Sequence, residues 1–376
     1  MGKLHDTYHL TITTLSPLHI GTGNTLRQGY DYVTHQGQTW VFDADVLADM
    51  LYEQDPGEFE RMVHGAPAGE LIRDNEFNPD SPLFRYVMRG EPRSRGKGAE
   101  LQELLKDPWD RPYIPGSSLK GALRTALAVV GWEQRKLAFT PQELGNNVKT
   151  AAQPLERRVL GGNPPRPGDA PNYELLRVLQ VSDSAPGERE DLQLINVQVA
   201  VGEKAGSPIE LEAVRRDVTF QATLTLDGFL RQEHVAQRLG WSSDDQLKWL
   251  RAIPQVANMF TVHRIDSERE RWATSDAPIR GFYETLARIL GQLDTRSEFL
   301  LQLGWGGGWD SKTFGRVLTQ KPAVFAQVVE KYGKTLVRKG EYKPGDRYPK
   351  SRRVVVRQGQ MSAPLGWIKV RMERVE

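Results

Sequence analysis

The chain has no cysteine among its 376 residues. Disulfides, cysteine nucleophiles and thiolate metal sites are therefore excluded, and the composition suits a reducing, cytoplasmic compartment. Long apolar runs are missing too. None approaches the length of a membrane span, and the opening Met1-Gly-Lys-Leu-His-Asp has no signal-peptide core. Met1-Gly2 without Ser or Thr at position 6 also fails the myristoylation pattern. The seven histidines are scattered and form no H-x-H or H-E-x-x-H pair, so no histidine metal centre is expected. A complete phosphate-binding loop is lacking as well. A P-loop needs Gly directly before Lys-Thr, and Ser311 stands before Lys312-Thr313. Gly21-Thr-Gly23 is cut short as a dinucleotide fingerprint by Leu26. No cofactor is expected.

Net charge is only +2, which by itself points to no polyanionic partner. Its distribution does. Between Lys331 and Glu376 there are 13 Lys or Arg against 4 Asp or Glu, a net of +9, so the first 330 residues carry −7. A basic end on an acidic body is the asymmetry expected for local phosphate contact. Arg352-Arg-Val-Val-Val-Arg357 mixes its cations with a β-branched run, and Leu365-Gly-Trp-Ile-Lys-Val-Arg371 partly alternates, so this end reads as strand.

What is present is led by Tyr113-Ile-Pro-Gly-Ser-Ser-Leu-Lys-Gly-Ala-Leu-Arg124. Pro115 and Gly116 end an extended segment, and Ser117 or Ser118 is placed to cap a helix to about Val130. Free amides at such a start favour anions. Lys120 and Arg124, four apart, share one face, while Leu119, Leu123 and Leu127 form a stripe for burial. The alternative reading is a capped amphipathic helix with two solvated cations. Two further segments stand out: Leu15-Ser-Pro-Leu-His-Ile-Gly-Thr-Gly23 after the alternating run from Tyr8, and Leu303-Gly-Trp-Gly-Gly-Gly-Trp-Asp-Ser-Lys-Thr313. Glycines there permit positive φ and close backbone approach, and the tryptophans offer stacking faces for unpaired bases. The same loop also reads as a tight strand-to-helix turn with core tryptophans.

Together and in this order, the three segments resemble the RAMP superfamily of CRISPR-associated RNA-binding proteins. The late loop, Tyr348-Pro-Lys-Ser-Arg-Arg-Val354 and Pro364-Leu-Gly-Trp367 resemble its fifth-subunit branch in type III-A (Csm) effector complexes. The resemblance implies an α+β fold of two ferredoxin-like (RRM-type) domains with helical insertions. It implies a non-catalytic subunit that binds CRISPR RNA, caps the complex at the 3′ side of the guide and supports guide maturation. Its partners would be CRISPR RNA and sister RAMP subunits; host nucleases for 3′ trimming are a further class the family raises. The implied RNA contacts are His19, Gly21, Gly23 and Arg27; Ser117, Ser118, Lys120 and Arg124; Gly306, Gly307, Gly308 and Lys312; and Arg352 and Arg353. The alternatives are an endoribonuclease using Asp31 with a metal or His19 without one, or a sister backbone subunit.

Along the chain, residues 8–16 and 38–43 read as strands, with Tyr30-Asp-Tyr-Val33 between, and 45–74 as helical. Residues 85–98 read as loop and Pro141–Leu160 as helix. The breaker cluster Gly161-Gly-Asn-Pro-Pro-Arg-Pro-Gly-Asp-Ala-Pro171 suggests a boundary between domains 1–165 and 172–376. The second half reads as strands at 175–181, 192–199 and 217–226, helices at 243–265 and 279–293, then strand 299–303 feeding the late loop.

Overall fold

A computed structural model describes residues 5–94, 96, 99–201, 204–242, 245–275, 277–311, 314–333, 336 and 342–375. The first part comprises β1 (His5–Thr14), β2 (Gly21–Arg27), β3 (Tyr32–His35), β4 (Gln38–Phe42), α1 (Ala44–Gln54), α2 (Pro56–Val63), β5 (Phe84–Arg89), β6 (Glu100–Leu104), α3 (Gly116–Gln134) and α4 (Gln153–Leu160). Then come β7 (Leu179–Val181), β8 (Leu192–Val201), β9 (Lys204–Val214), β10 (Thr219–Asp227), α5 (Glu233–Leu239), α6 (Gln246–Arg251), α7 (Ile253–Arg271) and α8 (Pro278–Gln292). The chain closes with β11 (Glu298–Gln302), α9 (Gly315–Thr319), α10 (Pro322–Tyr332), β12 (Ser351–Arg357), β13 (Gln360–Ala363) and β14 (Trp367–Arg374).

Alternation builds the first sheet, ordered β11-β14-β1-β10-β7. Leu10 and Ile12 of β1 are buried and lie opposite Ala222 and Phe220 of β10, and Met372 and Val370 of β14. A period of two puts all of these on one face. Each such aliphatic or aromatic side chain, fully buried, stabilises the fold by roughly 1.5–3 kcal/mol. The same core takes Leu119, Leu123 and Leu127, the expected stripe of α3. Gly131 lets α3 close on its neighbours, since a Cβ there would stand 2.6 Å from Trp249 and from Val159.

The second sheet runs β2-β6-β9-β8-β5-β4-β3, with β12 paired to β8 and β13 to β12. Most of its pairs are antiparallel, whereas β6–β9 and β5–β8 are parallel. The fold is thus α+β: two sheets with helical insertions, the architecture of paired ferredoxin-like domains. The boundary expected at 165–172 does not separate the sheets. β1 is zipped between β10 and β14, and β6 pairs with β9, so each sheet draws strands from both sides of the breaker cluster.

Other expectations also need correction. Residues 85–98 are not simply loop, because Arg-rich β5 buries Phe84, Tyr86 and Met88 at alternate positions. In 141–160 only Gln153–Leu160 is α-helical; the start is broken into short 3₁₀ turns around Gly145 and Asn147. The basic end is strand, as its alternation indicates, with β14 inside the first sheet.

A cleft formed by three loops

Gly21–Arg27 follows β1 as an exposed strand paired to β6. Just before it, His19 is 3 % exposed, and its Nδ1 lies 2.6 Å from the carbonyl oxygen of Glu212. Glu212 is itself buried in β9, and its carboxylate accepts from Tyr86 Oη at 2.7 Å, Leu104 N at 2.8 Å and Lys106 Nζ at 2.5 Å. Burial and the adjacent Glu212 push the Tyr86 phenol well above its ordinary pKa, so it stays a proton donor. This closed network is costly to break, because removing one partner strands a buried charge. It fixes the His19 loop from beneath. At the rim, Glu103 accepts from Thr22 Oγ1 at 3.0 Å and Asn24 Nδ2 at 3.2 Å.

Helix α3 starts differently from expectation. Neither Ser117 nor Ser118 caps it; Pro115 occupies the N-cap position without a side-chain bond. The Gly116 amide donates instead to Asp183 Oδ1 at 2.8 Å. Gly116 is required here, because a Cβ would lie 2.2 Å from the Val181 carbonyl. The Asp183 carboxylate takes the place at the helix dipole that an external anion would occupy. Ser117 and Ser118 are left to line a cleft together with Gly121, Ala122 and Thr125.

Lys120 and Arg124 do share a helical face, but it is a different one. Arg124 pairs with Glu156 and, at 2.9 Å, with Glu174. Burial lowers the Lys120 pKa against the opposing pull of Glu174. Arg124 therefore ties α3 to α4 and to the segment before β7, Lys120 feels the charge of Glu174, and neither side chain lines the cleft.

The late loop leaves β11 and folds back on His19. Trp305 N donates to the His19 carbonyl at 2.8 Å, and the two rings meet edge-on with centroids 6.2 Å apart. Three of its glycines answer packing. A Cβ would stand 2.2 Å from His19 O at Gly304, 2.9 Å from Leu365 at Gly306 and 2.3 Å from Ser311 Oγ at Gly307. At Gly308, with φ +75°, the space is open. Trp309 is turned inward against Phe325 and Tyr348, a core role. Lys312 lies outside the described residues.

Of the two adjacent arginines on β12, one faces in. Arg352 bridges Glu268 at 2.6 Å and Asp310 at 3.0 Å. Burial works against its charge, yet those two carboxylates outweigh it and raise its pKa. It is a structural cation, not a free phosphate contact. Arg353 is exposed, with its guanidinium 4.5 Å from the Trp305 ring centroid, within cation–π range. Other cations of the basic end are also held: Lys369 by Glu298, Arg374 by Asp6 and Lys350 by Asp346.

The His19 loop, the start of α3 and the late loop thus converge on one cleft of about 510 Å³. Its wall comprises hydroxyls and amides from Ser117, Ser118, Thr125, Ser311, Gln102 and Gln302, plus Trp305. Among the described residues lining it, only His19 and Glu103 are ionisable. Gln102, Glu103, Thr125 and Gln302 were not anticipated, since nothing in their local sequence marks them. Gly23 lies at the cleft with φ +95°, while Arg27 stacks over Tyr30 at 4.9 Å. Asp31 closes a turn by accepting the Arg27 amide at 2.7 Å. Among the described residues no group of three His, Asp or Glu gathers as a metal site, and no helix is long and apolar enough to cross a membrane.

The RAMP superfamily profile matches residues 11–309. A CRISPR system Cms protein Csm5 from Mycobacterium tuberculosis (strain CDC 1551 / Oshkosh) is 26% identical over 338 residues, covering 82% of this chain and 83% of the relative. Csm5 of Methanocaldococcus jannaschii is 24% identical over 383 residues, covering 95% and 87%. A chain in the cryo-EM structure of a type III-A Csm–crRNA–target RNA ternary complex superposes with TM-score 0.71 at 26% identity, over 97% of this chain and 100% of that one. The crystal structure of T.onnurineus Csm5 superposes with TM-score 0.64 at 22% identity, over 95% of this chain and 99% of that one, a likeness of fold.

Proposed function

This chain belongs to the RAMP superfamily, and from that premise we propose that it is a non-catalytic guide-RNA-binding subunit of a type III-A Csm effector complex. It caps the complex at the 3′ side of the guide, supports guide maturation and acts in the cytoplasm beside sister RAMP subunits. The observation that carries this reading is the meeting of residues 19–23, 117–125 and 302–311 in one cleft from three distant parts of the chain. Neutral hydroxyls and amides suit sugar and backbone oxygens without selecting a base. Trp305, braced by Arg353, offers a ring to an unpaired base. Asp31 and His19 are each engaged in local structure, which favours the binding reading over the nuclease one.

The test is co-purification of a discrete-length small RNA with the sister subunits, followed by binding of that RNA to the purified chain across salt. Each phosphate neutralised adds about −0.7 to the slope of log affinity against log salt. Ser117→Glu places a carboxylate at the exposed cleft wall and should lower affinity at least ~10-fold, or about 1.4 kcal/mol, at unchanged melting temperature. Unchanged affinity removes the cleft from the RNA path. Metal-dependent RNA scission abolished by Asp31→Ala would overturn the non-catalytic assignment.

A further inference from the structure

A second cavity of about 290 Å³ lies on another part of the molecule, between α8 and the β12–β13 hairpin, with Leu15–Pro17 as its floor. Residues spaced by four on α8 turn one stripe into it: Gly281, Thr285 and Ile289, with Phe282 beside them. Phe282 and Ile289 remain partly exposed there. Across the gap stand Val355, Arg357 and Ala363, on a hairpin whose pairing slips between Val355 and Val356. Such a bulge bends a two-stranded ribbon. A Cβ at Gly281 would meet nothing within 4 Å, so the groove has room at that point.

The rim is positively charged. Arg216 and Arg357 both line the groove, and Arg288 donates to the Thr285 hydroxyl at 2.9 Å, which holds its guanidinium against the same edge. The carboxylate paired with this rim is Asp217, 2.9 Å from Arg216 with both side chains over 60% exposed. Such an exposed pair is weak and readily exchanged. An apolar trough with a cationic rim is complementary to a bulky apolar side chain flanked by carboxylates. Resting on the function proposed above, we propose that this groove docks an extended acidic segment of a neighbouring protein subunit, with an apolar residue seated against Phe282 and Ile289. Phe282, Ile289 and Pro278 give this groove apolar side chains that an acidic peptide with an apolar residue would cover and a phosphate backbone alone would not, and the RNA-affinity measurement below separates the two.

The experiment co-expresses the full chain with its sister subunits and guide RNA, and measures its share in the purified complex. Two variants probe the groove: Gly281→Trp fills it, and Arg216→Glu with Arg357→Glu reverses its rim. Both should reduce incorporation at least ~10-fold, while RNA affinity and melting temperature of the isolated protein stay at the wild-type values. If Gly281→Trp lowers the melting temperature, the arginine pair alone decides. Normal incorporation of the arginine variant overturns the docking site and leaves the guide-binding function intact. Loss of RNA affinity in parallel with incorporation also overturns it, because the groove would then belong to the RNA path. Wild-type protein that joins no sister subunit overturns both readings together.

Discussion

Gly304→Ala is the sharpest probe of how the late loop is built. Two costs add. At φ +70° an L-residue is in the left-handed region, which costs about 1–2 kcal/mol. The new methyl would also stand 2.2 Å from the His19 carbonyl oxygen, a backbone atom that cannot rotate aside. Relief requires the His19 carbonyl to move, and with it goes the 2.8 Å bond from the Trp305 amide, about 1 kcal/mol more. We expect a loss of about 2–4 kcal/mol, read from denaturant midpoints at constant m. Gly308→Ala is the control. Its φ of +75° is nearly the same and its space is open, so it should lose only the conformational share, about 1–2 kcal/mol. The difference between the two isolates the clash. Equal destabilisation would refute the claim that the loop is locked onto His19. Guide-RNA capture then separates the roles: Gly304→Ala should lose capture along with stability, and Gly308→Ala should lose capture only if its open side faces the RNA.

Two other outcomes follow from the ion pairs. Arg124→Glu would set three carboxylates together where Arg124 now lies between Glu156 and Glu174, and after allowance for partial exposure should cost about 1–3 kcal/mol of stability by denaturant titration; Arg124→Met should cost less, and a neutral result for the charge reversal would mean that this face is free for ligand. Asp6 feels burial, which raises its pKa, but bonds and charge from Arg231 and Arg374 outweigh this and hold it below the ordinary carboxylate value. A depressed folded pKa contributes stability above the unfolded value and loses it as pH falls through the folded one. Asp6→Asn should therefore be less stable than wild type at neutral pH by about 1–2 kcal/mol, with the gap closing below about pH 4; a gap that stays constant into acid would refute the ion-pair account.

Much of the fold was legible because it depends on local periodicity. The leucine stripe of α3, the alternation of β1 and β10 and the strand character of the basic end are set by spacing alone, and burial follows spacing. The three motifs were visible for the same reason, as local concentrations of glycine and serine. What escaped were elements whose sequences are polar or mixed: β2, rich in Gly and Thr; β5, rich in Arg; and the lone residues Gln102, Glu103 and Gln302, which matter only because distant segments bring them to the cleft.

Spacing along the chain was enough to place the strongly periodic helices and strands, to show that no thiol chemistry is open to this protein, and to mark three glycine-rich loops to be read together. Only the tertiary structure decided what each polar side chain faces. Lys120 and Arg124 share a face at any helical spacing, but whether that face meets RNA or Glu174 depends on residues fifty positions away. Arg352 and Arg353 are neighbours in sequence, yet the pleat of β12 sends one to Glu268 and Asp310 and the other to Trp305. Charge along a chain is additive and can be counted, whereas its availability to a ligand depends on which opposite charges the fold places within a few ångströms.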